Sequence, residues 1–221
     1  MAFNKNSGFT LIELLVSISI FVVITSVILS NYSLYSRQTD LTRTAQEIAL
    51  ALRKAQSYSL AVRGFGTGLT LTFSAWGLHF ENPLASPPPS PQWVNAAKQF
   101  VFYSDTSGDK KYGGSNDLSD PAKCSAVPNE CSELLQINTS AKIVKLCSGL
   151  KTSNPTCSNP PKYIDITYQR PNPSITICND LNCLSSVTDY EICLTSSDGN
   201  YKRTIYVWNT GQIAIDDIAC P

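Results

Sequence analysis

Residues Phe9 to Ser30 read FTLIELLVSISIFVVITSVILS, and the fold of the chain turns on how this segment begins and continues. It has about the ~20 apolar residues that an α-helix needs to cross a bilayer. Its one charge is Glu13. Before it stand MAFNKNSG, in which Lys5 is the only charged side chain, a pattern that favours keeping the start of the chain on the cytoplasmic side. A secretory signal places its small cleavage residue after the apolar run. Here Gly8 precedes the run, so cleavage at Gly8 leaves the membrane helix on the product.

A carboxylate inside a membrane helix costs roughly 2.5 to 3.5 kcal/mol on insertion scales, so Glu13 calls for a partner. No Lys, Arg or His occurs between Phe9 and Leu34. Were the chain cut after Gly8, the nearby cation would be the amine freed at Phe9, on the same chain or on a neighbour. Glu13 also lies only about one helical turn, ~6 Å, from Phe9, where it can snorkel or meet its own N-terminus and the positive helix end.

Beyond Ser30 no proline occurs before Pro83, and Leu34, Leu41, Ala45, Ile48, Leu52, Ala55 and Leu60 recur at helical spacing. Arg37, Arg43, Glu47, Arg53 and Lys54 occupy the rest of the circumference, which makes an amphipathic second half in need of a packing surface. Gly64, Gly66 and Gly68 end it. A helix from Phe9 to about Arg63 is ~80 Å long, well over a bilayer's thickness. Half of it must leave the membrane and carry a domain.

The residues Gly8-Phe9-Thr10-Leu11-Ile12-Glu13-Leu14-Leu15-Val16 resemble the signature of type IV prepilins and type II secretion pseudopilins. The resemblance implies that a prepilin peptidase cuts between Gly8 and Phe9 and N-methylates Phe9. It also implies that Glu13 pairs with the N-terminal ammonium of a neighbouring pilin subunit during assembly. The stretch AQEIALALRKAQSYSLAVRG resembles the helix of GspH/FimT-like minor pilins and pseudopilins, which leads directly into a β-rich domain. Many pilins have a proline near the position of Ser30; this chain has none there.

After Gly68 the period changes to two: Leu69, Leu71 and Phe73 alternate with threonines, and QFVFY, KIVKLC, KYIDITYQ, SITIC, DYEICL, YKRTIYVW and GQIAID follow as short β-rich runs. The reading is α+β and pilin-like, a long N-terminal helix packed on a C-terminal antiparallel sheet domain. It divides the chain into a leader at 1–8, the helix at 9–63 with 9–30 as transmembrane segment or filament core, and a disulfide-rich domain at 64–221. SPPPSPQ, residues 86–92, reads as a stiff polyproline connection.

Eight cysteines, Cys124, Cys131, Cys147, Cys157, Cys178, Cys183, Cys193 and Cys220, lie in the C-terminal half. None forms a C-x-x-C pair and His79 is the one histidine, so the set fits a disulfide framework in an oxidising compartment better than zinc. Proximity along the chain suggests Cys124–Cys131, Cys147–Cys157, Cys178–Cys183 and Cys193–Cys220. The loop from Asp105 to Asp117 places oxygen ligands at alternating positions, as calcium prefers. Asp105, Ser107, Asp109 and Asp117 are the candidate ligands, and Phe102 to Asp117 resembles the calcium loops of several pilins. Lys110 and Lys111 oppose a cation there, and a polar hairpin turn is the competing reading.

The 17 basic and 17 acidic side chains balance, so no global field draws the molecule to nucleic acid. Lys202 and Arg203 with Tyr201, Tyr206 and Trp208 form a small basic-aromatic cluster that suits nucleic acid at a filament tip or, by strand alternation, simply core. His79 lies in AWGLHF with no nucleophile motif beside it and reads as a strand residue, which argues against an enzyme. Three functional readings result. One is a structural filament subunit. Another is a minor pilin or pseudopilin of a type II secretion or DNA-uptake system, priming the filament or binding at its tip. The third is a signal-anchored extracytoplasmic protein. The first two place the prepilin in the inner membrane with its domain outside, then in an extracellular or periplasmic filament.

Overall fold

A computed structural model describes residues 9–66, 71–84, 95–113, 124, 130–151, 157–169, 174–180, 183 and 187–217. Its helix α1 spans Leu11–Leu60. Thr10 caps it: the hydroxyl accepts from the Glu13 N–H while the Glu13 carboxylate accepts from the Thr10 N–H, a reciprocal capping box. Among the described residues nothing packs on the first half, whereas Leu41, Ala45, Ile48, Leu52 and Ala55 are buried on one face of the second half. The predicted end near Arg63 contracts to Leu60, because Val62 adopts a positive φ of 54° and turns the backbone out of the helix.

Two antiparallel sheets pack on that buried face. The first contains β1 (Ala75–Glu81), β2 (Gln99–Asp105), β3 (Cys131–Gln136), β5 (Tyr163–Tyr168) and β6 (Ile175–Asn179), in the order β3-β2-β1-β5-β6. In the second, β4 (Lys142–Ser148), β7 (Asp189–Thr195), β8 (Lys202–Trp208) and β9 (Ile213–Asp216) run in that order. Trp76, Leu78 and Phe80 of β1 meet the helix residues and Ile192, Ile205 and Val207 of the second sheet in one apolar core. The architecture is α+β, with the helix as spine.

Two strand assignments change. Leu69 lies outside the described residues, and the alternation at Leu71 and Phe73 does not open a sheet; Thr72 instead forms an isolated bridge to Phe65, and the first described strand is Ala75–Glu81. The strand β3, CSELLQ, escapes the pattern because it is a sheet edge carrying Ser132 and an exposed Glu133. The polyproline stretch lies outside the described residues.

The first sheet also buries its outer face. Val101, Tyr103, Cys124 and Cys131 form a second small core there, with Tyr112 and Leu134 packed on it. Gly77 stands opposite Tyr103 in the register, and a Cβ at Gly77 would lie 2.8 Å from that ring and 2.7 Å from the Ile166 carbonyl oxygen. Only glycine admits the ring.

Candidate functional site

The apolar span Leu11–Ser30 is 0% buried and long enough to cross a membrane. Three of its hydroxyls are turned back on the helix, since Ser17, Ser19 and Thr25 donate to the carbonyls of Glu13, Leu15 and Phe21 at 2.7 to 2.8 Å. Glu13 Oε2 accepts from the Thr10 N–H and from the Thr10 hydroxyl, both at 2.9 Å. The carboxylate therefore curls back toward the helix start, where the positive end of the helix favours it. Phe9 is 87% exposed, and Gly8 lies outside the described residues. Sequence reasoning passed over Thr10, although Thr10-x-x-Glu13 is the capping-box spacing.

A family model, the prokaryotic N-terminal methylation motif, matches residues 3–29. Over these residues the chain carries the N-terminal motif of type IV pilin-like proteins. No curated protein and no solved structure matches it. The motif implies processing by a prepilin peptidase and assembly with other pilins, a structural rather than enzymatic business.

The remaining sequence candidates fall in several places. Disulfides join Cys124 to Cys131, Cys147 to Cys157 and Cys178 to Cys183. Cys220 lies outside the described residues, as does Asp117. Asp105, Ser107 and Asp109 do come together: the Ser107 hydroxyl lies 3.2 Å from Asp105 Oδ1 and 3.0 Å from Asp109 Oδ1. Asp105 is already engaged by the Gly108 and Lys110 N–H groups, and Glu130, unforeseen from sequence, takes N–H bonds from Thr106, Ser107 and Gly113. Among the described residues no group of three acidic, His or Cys side chains is arranged to hold a metal. The loop is a hydrogen-bonded turn organised around two carboxylates.

The basic-aromatic cluster divides. Tyr201, Lys202 and Arg203 line a hollow of about 730 Å³ against helix residues Tyr35 to Thr42. Tyr206 and Trp208 instead stack on each other beneath the Lys151 ammonium. Arg203 is paired with Asp217 at 3.0 Å. No single basic-aromatic platform for a nucleic acid forms from the five.

A buried charge cluster, invisible to spacing, sits on the outer face of the first sheet. His79 on β1 faces Asp165 on β5, with Nδ1 2.5 Å from Oδ1, and its Nε2 lies 3.8 Å from Glu81 Oε1. Burial pushes the imidazole down, but the charge and hydrogen bond of Asp165, with Glu81, more than reverse this and raise it to about 9. Burial likewise holds the Glu81 carboxyl above its ordinary range. The Tyr112 ring, from the Asp105–Gly113 loop, covers the imidazole at 5.0 Å. Tyr103 hydroxyl contacts Thr167 at 2.6 Å, and Thr167 donates to the Lys110 carbonyl. The cluster thus fastens the loop to the sheet.

Proposed function

We propose that this protein is a structural subunit of a type IV pilus or a related filament. In this reading it is made as a single-pass inner-membrane prepilin, clipped after Gly8 and N-methylated at Phe9. The observation that supports it is the joining, in one unbroken helix, of a wholly exposed apolar span to a segment that carries the domain. Such a span is stable in lipid, or packed against copies of itself once it leaves the membrane. Glu13 adds direction. Held at the helix start by Thr10 among the described residues, it is able to trade that neutral partner for the ammonium of an adjacent subunit, a stronger charge-assisted contact.

Gly8→Ala should block or slow maturation, whereas Glu13→Val should leave cleavage intact and abolish assembly or methylation. Intact mass of the wild-type protein recovered from membranes and from sheared filaments tests this. A filament subunit that retains its first eight residues would overturn the proposal.

A minor pilin or pseudopilin, of the GspH/FimT-like kind, is the second reading, favoured by the helix that runs without a proline through Ser30. Abundance in sheared filaments separates the two, since a minor subunit is scarce there. Calcium at Asp105, Ser107, Asp109 and Asp117 is a further proposal within either reading. It requires calcium to replace N–H donors at Asp105, and a calcium titration of the domain's melting temperature tests it.

A further inference from the structure

The helix meets the domain soon after it leaves the apolar span. Arg37 contacts Asp198 at 2.6 Å, and Asp40 accepts from the Ser140 N–H and hydroxyl, seven and ten residues beyond Ser30. At 1.5 Å per residue these contacts lie ~10 and ~15 Å past the end of the span. A span of 20 residues is ~30 Å long and matches the hydrocarbon core, and the headgroups add ~5 to 8 Å on each side. The turn between β7 and β8, which carries Asp198, therefore stands next to the headgroup layer. Tyr32 and Tyr35, 66% and 69% exposed, occupy the helix at that level, where amphipathic rings mark a membrane interface.

The hollow of about 730 Å³ lies at this edge, between Tyr35, Gln38 and Thr42 of the helix and Asn200, Lys202 and Arg203 of the domain. Its charge is unbalanced. Asp217, the one carboxylate lining it, is paired with Arg203, and nearby Asp198 is taken by Arg37. The Lys202 ammonium has no ion-pair or hydrogen-bond partner among the described residues. Lys142 reinforces it: in the β4-β7-β8 register Lys142 and Lys202 flank Thr195, both exposed, with Cα atoms ~10 Å apart. Lys98 joins them through the Thr139 and Ala141 carbonyls. At this edge Arg37, Lys98, Lys142, Lys202 and Arg203 thus outnumber Asp40, Asp198 and Asp217, while Glu47 and Asp216 are taken by Arg43 and Lys151. A chain with no net charge turns its positive side to the bilayer.

We infer that this hollow seats the phosphate of an anionic phospholipid from the bilayer around the span, an inference that rests on reading the chain as a membrane-anchored prepilin. The lipid's chains then lie along the exposed apolar residues 11–30, and its phosphate meets the Lys202 ammonium. A zwitterionic headgroup brings its own cation and gains little there. An anionic one gains about fivefold for each cation close to the membrane surface.

The test places the full chain in nanodiscs of equal phosphatidylglycerol and phosphatidylcholine. Native mass spectrometry of the released protein then identifies each retained lipid by its mass. Phosphatidylglycerol is expected to exceed phosphatidylcholine by about fivefold. Lys202→Gln, at an exposed position, should bring the ratio to about one with the melting temperature unchanged. Arg53→Gln removes the same charge from an exposed site ~35 Å of helix beyond Ser30 and should leave the ratio as it is. Equal retention by the wild type, an unchanged ratio in Lys202→Gln, or an equal loss in Arg53→Gln overturns the inference. So does loss of the preference on adding inorganic phosphate or a DNA oligonucleotide, which assigns the hollow to a free anion or to nucleic acid. Failure of the membrane reading is distinguishable, because the wild-type chain then does not enter the discs at all.

Discussion

Asp165→Asn isolates the buried charge cluster. Asparagine keeps the shape of the side chain and its hydrogen bond to His79 but removes the charge, at a site 1% exposed beside an imidazole that is itself buried. Removing one member of a buried pair leaves its partner uncompensated, which costs about 3 to 5 kcal/mol. In a chain of this size that lowers the melting temperature by about 10 °C. The pH dependence carries the sharper test. His79 is held at about 9 against 6.5 in the unfolded chain, so its stabilisation is complete below 6.5 and is lost as pH rises through 9. At about 1.4 kcal/mol per pH unit, the gap amounts to about 3 kcal/mol. Glu191, raised to about 9 chiefly by burial and then by neighbouring Asp189, destabilises the fold in the same alkaline direction. That effect is common to both proteins and cancels in their difference. Denaturant unfolding of the mature chain in detergent, followed through the buried Trp76, should show a wild-type advantage that shrinks by about 3 kcal/mol between pH 6 and 9.5. An advantage below about 1 kcal/mol at pH 6, or one that stays level across this range, refutes the reasoning.

Gly77→Ala should cost at least about 2 kcal/mol in the same assay, because one of its two clashes is with a backbone carbonyl that no rotamer change relieves. Leu52→Ala, at a fully buried position where the helix meets both sheets, should cost about 2 to 5 kcal/mol without affecting cleavage after Gly8, which intact mass reports. Replacing Cys147 and Cys157 together with alanine should remove about 2 to 4 kcal/mol by freeing the unfolded chain between them, visible as a lower denaturant midpoint. Arg37→Ala should speed hydrogen exchange of the Asn200 amide. Asp198, which that guanidinium contacts at 2.6 Å, also accepts from this amide and loses its tether to the helix.

The helix was legible because its signals are local. Apolar spacing, the lack of proline and the closing glycines all lie within a few residues of what they determine, and so does the Thr10-x-x-Glu13 capping box that the reading passed over. Most strands were legible for the same reason, through alternation at runs such as DYEICL and YKRTIYVW. What escaped depends on pairing across the chain. His79 and Asp165 are 86 residues apart, and only the β1–β5 register makes them neighbours. Arg37 and Asp198 are separated by 161. Glu130 was hidden for another reason, since its carboxylate serves backbone N–H groups, which carry no sequence signature. Val62 is a third kind of case, a residue type that argues against the conformation it adopts.

The proline-free helix has a mechanical consequence for the proposed assembly. Its ladder runs from the Thr10 carbonyl, which accepts the Leu14 N–H, to the Ser57 carbonyl, which accepts that of Ala61. The exposed span and the buried segment therefore share one rotational phase. Burial of Leu41, Ala45, Ile48, Leu52 and Ala55 fixes that phase relative to the sheets. Two contacts lock it where the helix leaves the domain: Arg37 to Asp198, and the Asp40 carboxylate to the Ser140 N–H and hydroxyl at 3.1 and 2.7 Å. At 3.6 residues per turn, a residue 36 positions before Leu60 points the same way after ten turns and ~54 Å. That residue is Ile24, within the span and 54% exposed. The domain's orientation toward any subunit packed against the span is then set by the helix, without a hinge to absorb error.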